Sequence, residues 1–402
     1  MSTPAPRLVV LSILFPNQGQ PHAGVFVRER MFKVGRHLPL TVVAPIPWFP
    51  FQGLIRRWRP AFRPSAPPVE AQSGFRVLHP RFLSVPGALK ALDGWLLALG
   101  ALPTMRRLKR EGMLDIIDAH FAYPDGYAAT LLGRWLKVPV TITVRGTEVS
   151  ISRTRVRRRM MIAGLKRASR IVAVADDLKR RMVALGIDAG KIQVIGNGVD
   201  TGKFFPVDRA ESRRTLGIPP DARVLISVGG LVERKGMHRV IECLPALTRS
   251  FPDLQYLIVG GAGGEGDWGP RLEAMVSMNG LTDTVRFLGP LPSDALRVPL
   301  SAADVFVLAT RNEGWANVFL EAMACGLPVV TTRVGGNAEV VREPECGKLV
   351  EFGALDELRH AIAAALETPW DRAAIVSYAQ ANSWDSRVSA LLDMFRQVAR
   401  SA

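Results

Sequence analysis

Val305-Phe306-Val307-Leu308, followed by Arg311-Asn312-Glu313-Gly314-Trp315-Ala316-Asn317-Val318-Phe319-Leu320-Glu321, is the stretch on which the fold turns. Four apolar residues in a row, without alternation, read as a strand buried on both faces. A polar turn containing glycine comes next, then a helix over Phe319–Ala324, then a new apolar strand over Pro328–Thr331. Strand, helix and strand in that order make one right-handed crossover of a parallel sheet. Free amides at the helix start, beside a glycine, suit a diphosphate or a sugar hydroxyl. Glu313 and Glu321, at the two ends of the turn, can bracket such a ligand by accepting hydroxyl hydrogen bonds. Acids also favour a helix N-terminus for its dipole alone.

The same alternation runs outward in both directions. Upstream strands are Leu8–Phe15, Leu40–Ala44, Ile116–Ala119, Val140–Val144, Arg170–Val174 and Ile192–Ile195. Nearer the opening stretch lie Val224–Val228, Gln255–Val259 and Val285–Leu288, with helices over Met237–Ser250, Gly269–Asn279 and Asp356–Leu366. This is an α/β pattern. A polar stretch rich in proline and glycine, Gly202–Arg223, separates two such series, and Val224–Val228 restarts the pattern. Two doubly wound domains follow, residues 1–200 and 201–383, with their ligand sites beyond the C-terminal strand ends. The natural place for a site is a cleft where two such domains face each other.

A chain of 402 residues can hold two cores of ordinary size, and 48% apolar with 22% charged residues excludes overall disorder. Cys243, Cys325 and Cys346 have no metal or redox spacing and read as buried thiols in a reducing compartment. Leu8–Phe15 lacks a cleavage site and reads as a first strand rather than a leader. Leu83–Leu102 is apolar but interrupted by Lys90 and Asp93, and reads as a helix or helix pair with one apolar face. The net charge of +16 is unevenly placed: residues 1–200 carry 31 basic and 12 acidic residues, and residues 201–402 carry 21 and 24. Only the first half, at +19 against −3, is drawn to an anionic partner.

Glu313 and Glu321 resemble the Glu-x7-Glu signature of glycosyltransferase family 4. The continuation Glu321-Ala322-Met323-Ala324-Cys325-Gly326-Leu327-Pro328-Val329-Val330 is similar to that family almost residue for residue. Gly335-Gly336-Asn337-Ala338-Glu339 and Gly229-Gly230-Leu231-Val232-Glu233-Arg234-Lys235-Gly236 resemble two more of its loops. The resemblance implies the GT-B fold, two Rossmann-like domains facing a central cleft, with a C-terminal helix at about 384–402 returning to the first. It implies a retaining transferase that takes a sugar from a nucleotide-diphosphate donor, in cell-surface polysaccharide or glycolipid synthesis. Lys235 then holds the diphosphate, Glu321 accepts the ribose hydroxyls and Glu313 lies against the sugar. The amides of Gly314, Trp315, Ala316, Asn317 and Val318 line the sugar and phosphates, and the loop at Pro290 and Leu291 faces the base. Where the family usually carries arginine before Leu231 this chain has Gly230, and Arg234 is the candidate to replace its charge. Gly260-Gly261-Ala262-Gly263-Gly264 reads either as a phosphate cradle or as a plain turn.

In the first half, Gly19 and Gly24 follow strand one, where the resemblance implies an acceptor-side glycine loop. His120, at the end of Ile116–Ala119, is implied to touch the transferred sugar. Arg145-Gly146-Thr147-Glu148 stands where many members have His-Gly, a departure that points to a different or more anionic acceptor. Gly196-Asn197-Gly198 resembles the inter-domain hinge. No Asp-x-Asp signature or His/Cys cluster is present, so metal-independent action without a cofactor is expected. Arginines and aromatics gather at Phe51, Arg56-Arg57-Trp58-Arg59 and Phe62-Arg63, and again from Arg153 to Arg167. Charge runs are commonly just solvated faces. Here the expectation is a cytoplasmic protein, peripheral on an anionic inner leaflet, with a glycan or lipid-linked acceptor. No nucleic-acid module is recognisable. A catalytically idle sugar-nucleotide binder and a nucleic-acid-binding protein remain the alternatives.

Overall fold

The computed structural model describes residues 5–21, 23–58, 62–63, 65–151, 154–263 and 265–401, with backbone alone at 149–150. Arg59, Arg153 and Gly264, singled out above, lie outside the described residues. The chain divides into two compact units, residues 1–196 with 387–402, and residues 197–386.

The first unit holds strands β1 (Leu8–Leu11), β2 (Leu40–Val43), β3 (Ile46–Trp48), β4 (Val69–Gln72) and β5 (Phe75–Leu78). It continues with β6 (Arg81–Leu83), β7 (Ile116–His120), β8 (Val140–Val144), β9 (Arg170–Ala173) and β10 (Ile192–Val194). Eight of these form one sheet in the order β10-β9-β8-β7-β1-β2-β5-β4, parallel except for the β4–β5 pair. β3 and β6 pair separately. All four residues of β1 are buried because both sheet faces are covered. Leu8 and Val10 pack with Val27, Met31 and Val34 of the helix Val25–Gly35 and with Leu391 and Phe395 of the C-terminal helix Trp384–Arg400. Each such side chain contributes about 1.5–3 kcal/mol of burial.

The second unit holds β11 (Val224–Val228), β12 (Gln255–Val259), β13 (Val285–Gly289), β14 (Val305–Leu308), β15 (Val329–Thr332) and β16 (Gly347–Val350). Its sheet is fully parallel, in the order β13-β12-β11-β14-β15-β16. All three cysteines are buried and unbridged.

Several expectations shift. The first strand stops at Leu11, and the apolar residues beyond it belong to a loop. Gly202–Arg223 lies just inside the second unit, which begins at Asn197; there Asp208 caps the helix Arg209–Leu216 and Arg213 is buried against Asp304. Leu83 closes β6, and the helix begins at Asp93 and runs to Arg110. β3, β4, β5, β6 and β16 were not expected, since polar residues and prolines break their apolar runs.

Each sheet reverses its order once. β1 has β2 on one side and β7 on the other, and β11 has β12 and β14. Beyond the C-terminal ends of β1/β7 and of β11/β14 lie the two switch points, where open α/β sheets take ligands.

Candidate active site

At the second unit's switch point, Glu233–Lys235 make one 3-10 turn after β11. Thr310 Oγ1 and the Arg311 N–H both donate to the Arg234 carbonyl, at 3.0 and 2.8 Å, and so lace the loop after β14 to that turn. The lacing brings Lys235 and Glu313 together. Lys235 Nζ donates to Glu313 Oε1 at 2.7 Å, and Arg234 Nη1 donates to the same oxygen at 3.1 Å. Thr310 Oγ1 lies 3.2 Å from it. Arg234 also donates to Glu265 at 2.7 and 2.9 Å. Burial works against the Arg234 charge, yet the hydrogen bonds and charges of Glu265 and Glu313 raise its pKa. The hydrogen bond from Arg234 in turn lowers the Glu265 pKa.

The residues around this cluster explain its glycines. Gly335 sits at φ 53, and a Cβ there would lie 1.8 Å from the Glu313 carbonyl oxygen, so only glycine lets the loop close behind Glu313. The helix Asn317–Ala324 starts at Ala316 with no side-chain cap and no acid in its first turn. Among the described residues its leading amides therefore have no capping side chain. Glu321 lies in its second turn, and Asn317 Oδ1 accepts from Asn197 at 2.8 Å. Trp315 and Val318 pack against the core, and the buried indole Nε1–H of Trp315 has no acceptor among the described residues. Gly314 and Leu291 are half-buried, and Leu291 packs against the same core cluster. Gly230 has room for a side chain: its Cβ would stand 3.7 Å from Gly263 Cα, an ordinary contact. The glycine-rich turn after β12 carries Glu265 onto Arg234, a role its sequence did not reveal.

The first unit's switch point is built differently. His120 ends β7 fully buried. Its Nδ1 accepts from Arg145 Nη2 at 3.0 Å. Because guanidinium only donates, the ring proton belongs on Nε2, which faces Asp118 Oδ2 at 3.1 Å. Burial, opposed by Asp118 and reinforced by Arg145 and Arg30, pulls the His120 pKa down to about 4. The ring implied to touch a sugar is sealed in this structure, because β7 is buried to its last residue and Arg145 covers Nδ1. Half-buried Arg145 stacks over Phe26 at 5.1 Å. Glu148 accepts the N–H groups of Ala122, Arg145 and Gly146 at 3.1, 3.1 and 2.7 Å, tying the loops after β7 and β8. Asp125 Oδ1 accepts from the Ile13 N–H at 2.6 Å, tying the loops after β7 and β1. Burial pushes the Asp125 pKa up to about 8. Gly24 sits at φ 69, and a Cβ there would lie 2.1 Å from the Leu14 carbonyl oxygen of the same loop, so only glycine fits.

Residues 208–382 match the family model described as glycosyl transferases group 1, and residues 52–203 match the one described as Glycosyltransferase Family 4. The D-inositol 3-phosphate glycosyltransferase of Corynebacterium urealyticum is 32% identical over 335 residues, 78% of this chain and 77% of that protein. The chain belongs to glycosyltransferase family 4.

A family 4 relative of the same name from Actinosynnema mirum is 35% identical over 240 residues, 57% of this chain and 58% of that protein. Among solved structures, HepE of Anabaena in complex with UDP superposes with a TM-score of 0.73 at 21% identity, over 97% of this chain and 100% of that one. That likeness is one of fold, and the fold is GT-B, two Rossmann-like domains. The family 4 signature residues Glu313 and Glu321 thus flank the helix start at the β11/β14 switch point. Asp125, Glu148, Glu265 and Thr310 are the supporting residues that sequence reasoning missed. Glu148 stands inside the quoted stretch Arg145–Glu148 and Asp125 comes shortly after His120, but nothing local marks the distant loops they hold. Among the described residues no group of three or more His, Cys, Asp or Glu side chains could hold a metal ion.

Proposed function

We propose that this family 4 enzyme moves a sugar from a nucleotide-diphosphate donor, seated on the second unit, to an anionic glycan or lipid-linked acceptor on the first, with retention of configuration. The observation that carries the reading is the convergence of Lys235, Arg234 and Glu313 beside an uncapped helix start. In the step proposed, the bond from the sugar's anomeric carbon to the diphosphate oxygen breaks as the acceptor oxygen bonds on the same face. The acceptor proton passes to the donor phosphate. Lys235, Arg234 and the helix amides neutralise the leaving diphosphate, which needs no metal. Glu313, which shares both cations, turns to the sugar hydroxyls once phosphate takes them over, and Glu321 takes the ribose.

Two further features support the acceptor side. Arg145, Arg30 and His120 converge at the first switch point, and the two curated relatives act, by name, on an inositol phosphate. His120, held neutral, is proposed to orient Arg145 and to meet the sugar when Arg145 swings to the acceptor's anion. The surplus of +19 on residues 1–200 favours a place at an anionic inner leaflet. Among the described residues no helix is long and apolar enough to cross a membrane.

The test is thermal stabilisation by UDP-, GDP- and ADP-sugars, with UDP-glucose first, then transfer of labelled sugar with and without EDTA. A ligand at 100 times its dissociation constant adds about 2.7 kcal/mol. Stabilisation by one nucleotide class and transfer that survives EDTA are expected. Stabilisation by none, or complete loss in EDTA with rescue by Mg²⁺, overturns the reading.

A further inference from the structure

The segment around the helix Gln52–Trp58 is not absorbed by either switch point. Within that helix only Gln52 is buried. Phe51, Leu54 and Trp58 are 79%, 53% and 88% exposed, and Ile55 is half-buried. Leu54, Ile55 and Trp58 stand at helical spacing and share one face, with Arg56 and Arg57 off it, and Phe51 directly precedes the helix at φ 66. Single exposed apolar residues are ordinary on soluble proteins. Three on one helix face with a fourth at its entry, two of them aromatic and bordered by arginines, are the pattern of an interfacial helix.

Beside the helix lies a cavity of about 550 Å³ whose lining includes Trp48, Arg56, His79 and Arg81 and no carboxylate. His79 Nδ1 donates to the Ala44 carbonyl at 3.0 Å. Its buried Nε2 has no hydrogen-bond partner among the described residues and lies 3.7 Å from Glu70 Oε2. Arg56 is braced by the carbonyls of Phe62 and Arg63, which holds its guanidinium at the cavity wall. Arg57 and Arg81 make no ion pair among the described residues. Trp48 and Leu83, opposite each other on β3 and β6, are 36% and 41% exposed.

We propose that the helix Gln52–Trp58 lies in the interface of an anionic bilayer, with Phe51, Leu54, Ile55 and Trp58 at the acyl boundary and Arg56 and Arg81 holding a phospholipid phosphate at the cavity. The proposal rests on the inner-leaflet reading above and names the surface that reading leaves open. A bilayer suits this surface better than a protein, because an apolar stripe and a cavity whose lining carries Arg56 and Arg81 but no carboxylate match the two layers of a lipid interface. The positive surplus of residues 1–200 adds the long-range attraction.

The experiment is co-sedimentation of the full chain with phosphatidylcholine vesicles, with or without about one phosphatidylglycerol in three, at low and high salt. The variants are Leu54→Asp with Trp58→Ser, and Arg81→Ser. Wild type is expected to bind anionic vesicles about tenfold better than neutral ones, with the preference fading at high salt. The stripe variant should fall to the neutral-vesicle level, and Arg81→Ser should lose several-fold on anionic vesicles alone, with sugar-nucleotide stabilisation unchanged in both. If wild type binds no vesicle, the inner-leaflet reading itself fails. If wild type binds anionic vesicles and the stripe variant binds them equally, the reading stands and this surface is wrong. Arg81→Ser binding like wild type overturns the headgroup site.

Discussion

The two switch points solve one problem in opposite ways. At β11/β14 the loops are joined by partly exposed ion pairs, Lys235 and Arg234 on Glu313 and Glu265. At β1/β7 they are joined by fully buried carboxyl groups, Asp125 and Glu148, that accept backbone N–H groups. Exposed pairs exchange partners cheaply, whereas a buried carboxylate that loses its donors is stranded. A site that must admit a diphosphate can therefore be held by the first kind of bond. A site whose loops must keep one shape needs the second kind. The same fold thus carries an exchangeable half and a rigid half.

The largest expected effect tests the exchangeable half. Lys235→Ala should lower turnover about 10²–10³-fold, as expected for loss of a cation facing developing charge, while leaving the melting temperature near wild type. Rate measurements with labelled donor, paired with thermal unfolding, check this. Unchanged turnover would remove the diphosphate from this switch point and end the contrast.

Next comes the rigid half. Glu148→Ala leaves three N–H groups of the loops after β7 and β8 without their acceptor. It should cost about 3 kcal/mol in urea unfolding, the sum expected when buried donors lose their partner. A cost near zero would mean that water replaces the carboxylate and that these loops are not rigid in the sense argued here.

Asp125 sharpens the contrast through pH. Burial raises its folded value to about 8, above the roughly 3.9 of a free aspartate. The folded chain then keeps a proton that the unfolded chain releases, so stability falls as pH rises between about 4 and 8. Asp125→Asn keeps an acceptor for the Ile13 N–H and removes that slope. Melting temperatures across this range should show the variant gaining on wild type as pH rises. Parallel curves would place Asp125 in contact with solvent.

The smallest effect is expected for Glu265→Ala, which removes a pair with Arg234 at a half-exposed position. Its stability should change by less than about 1 kcal/mol, and donor-dependent stabilisation should persist. A loss as large as that of Glu148→Ala would erase the distinction between the two halves.

The parallel sheets were legible because buried strands such as Val305–Leu308, Val224–Val228 and Val140–Val144 are apolar or β-branched runs broken by nothing larger than Ser227, Thr141 and Thr143, and the structure returns all three with the same ends. Weaker runs were not legible. β16 includes Gly347 and Lys348, and β3 is three residues around Pro47. Lys235, Glu313 and Glu321 were found through local motifs with their own spacing. Their partners Thr310 and Glu265, and the clamps Asp125 and Glu148, have no such spacing, because each is chosen by a loop from elsewhere in the chain.

The sequence by itself determined two parallel α/β units, the basic character of the first, and the residue types gathered after β11 and β14, since periodicity, charge and motif are properties of neighbours along the chain. Only the tertiary structure decided that Lys235 and Arg234 share one oxygen of Glu313, nearly eighty positions away. It also decided that His120 is sealed and neutral rather than open, and that Asp125 holds its proton. Burial and ion pairing depend on the dielectric and on groups that folding brings together, and no run of adjacent residues encodes either.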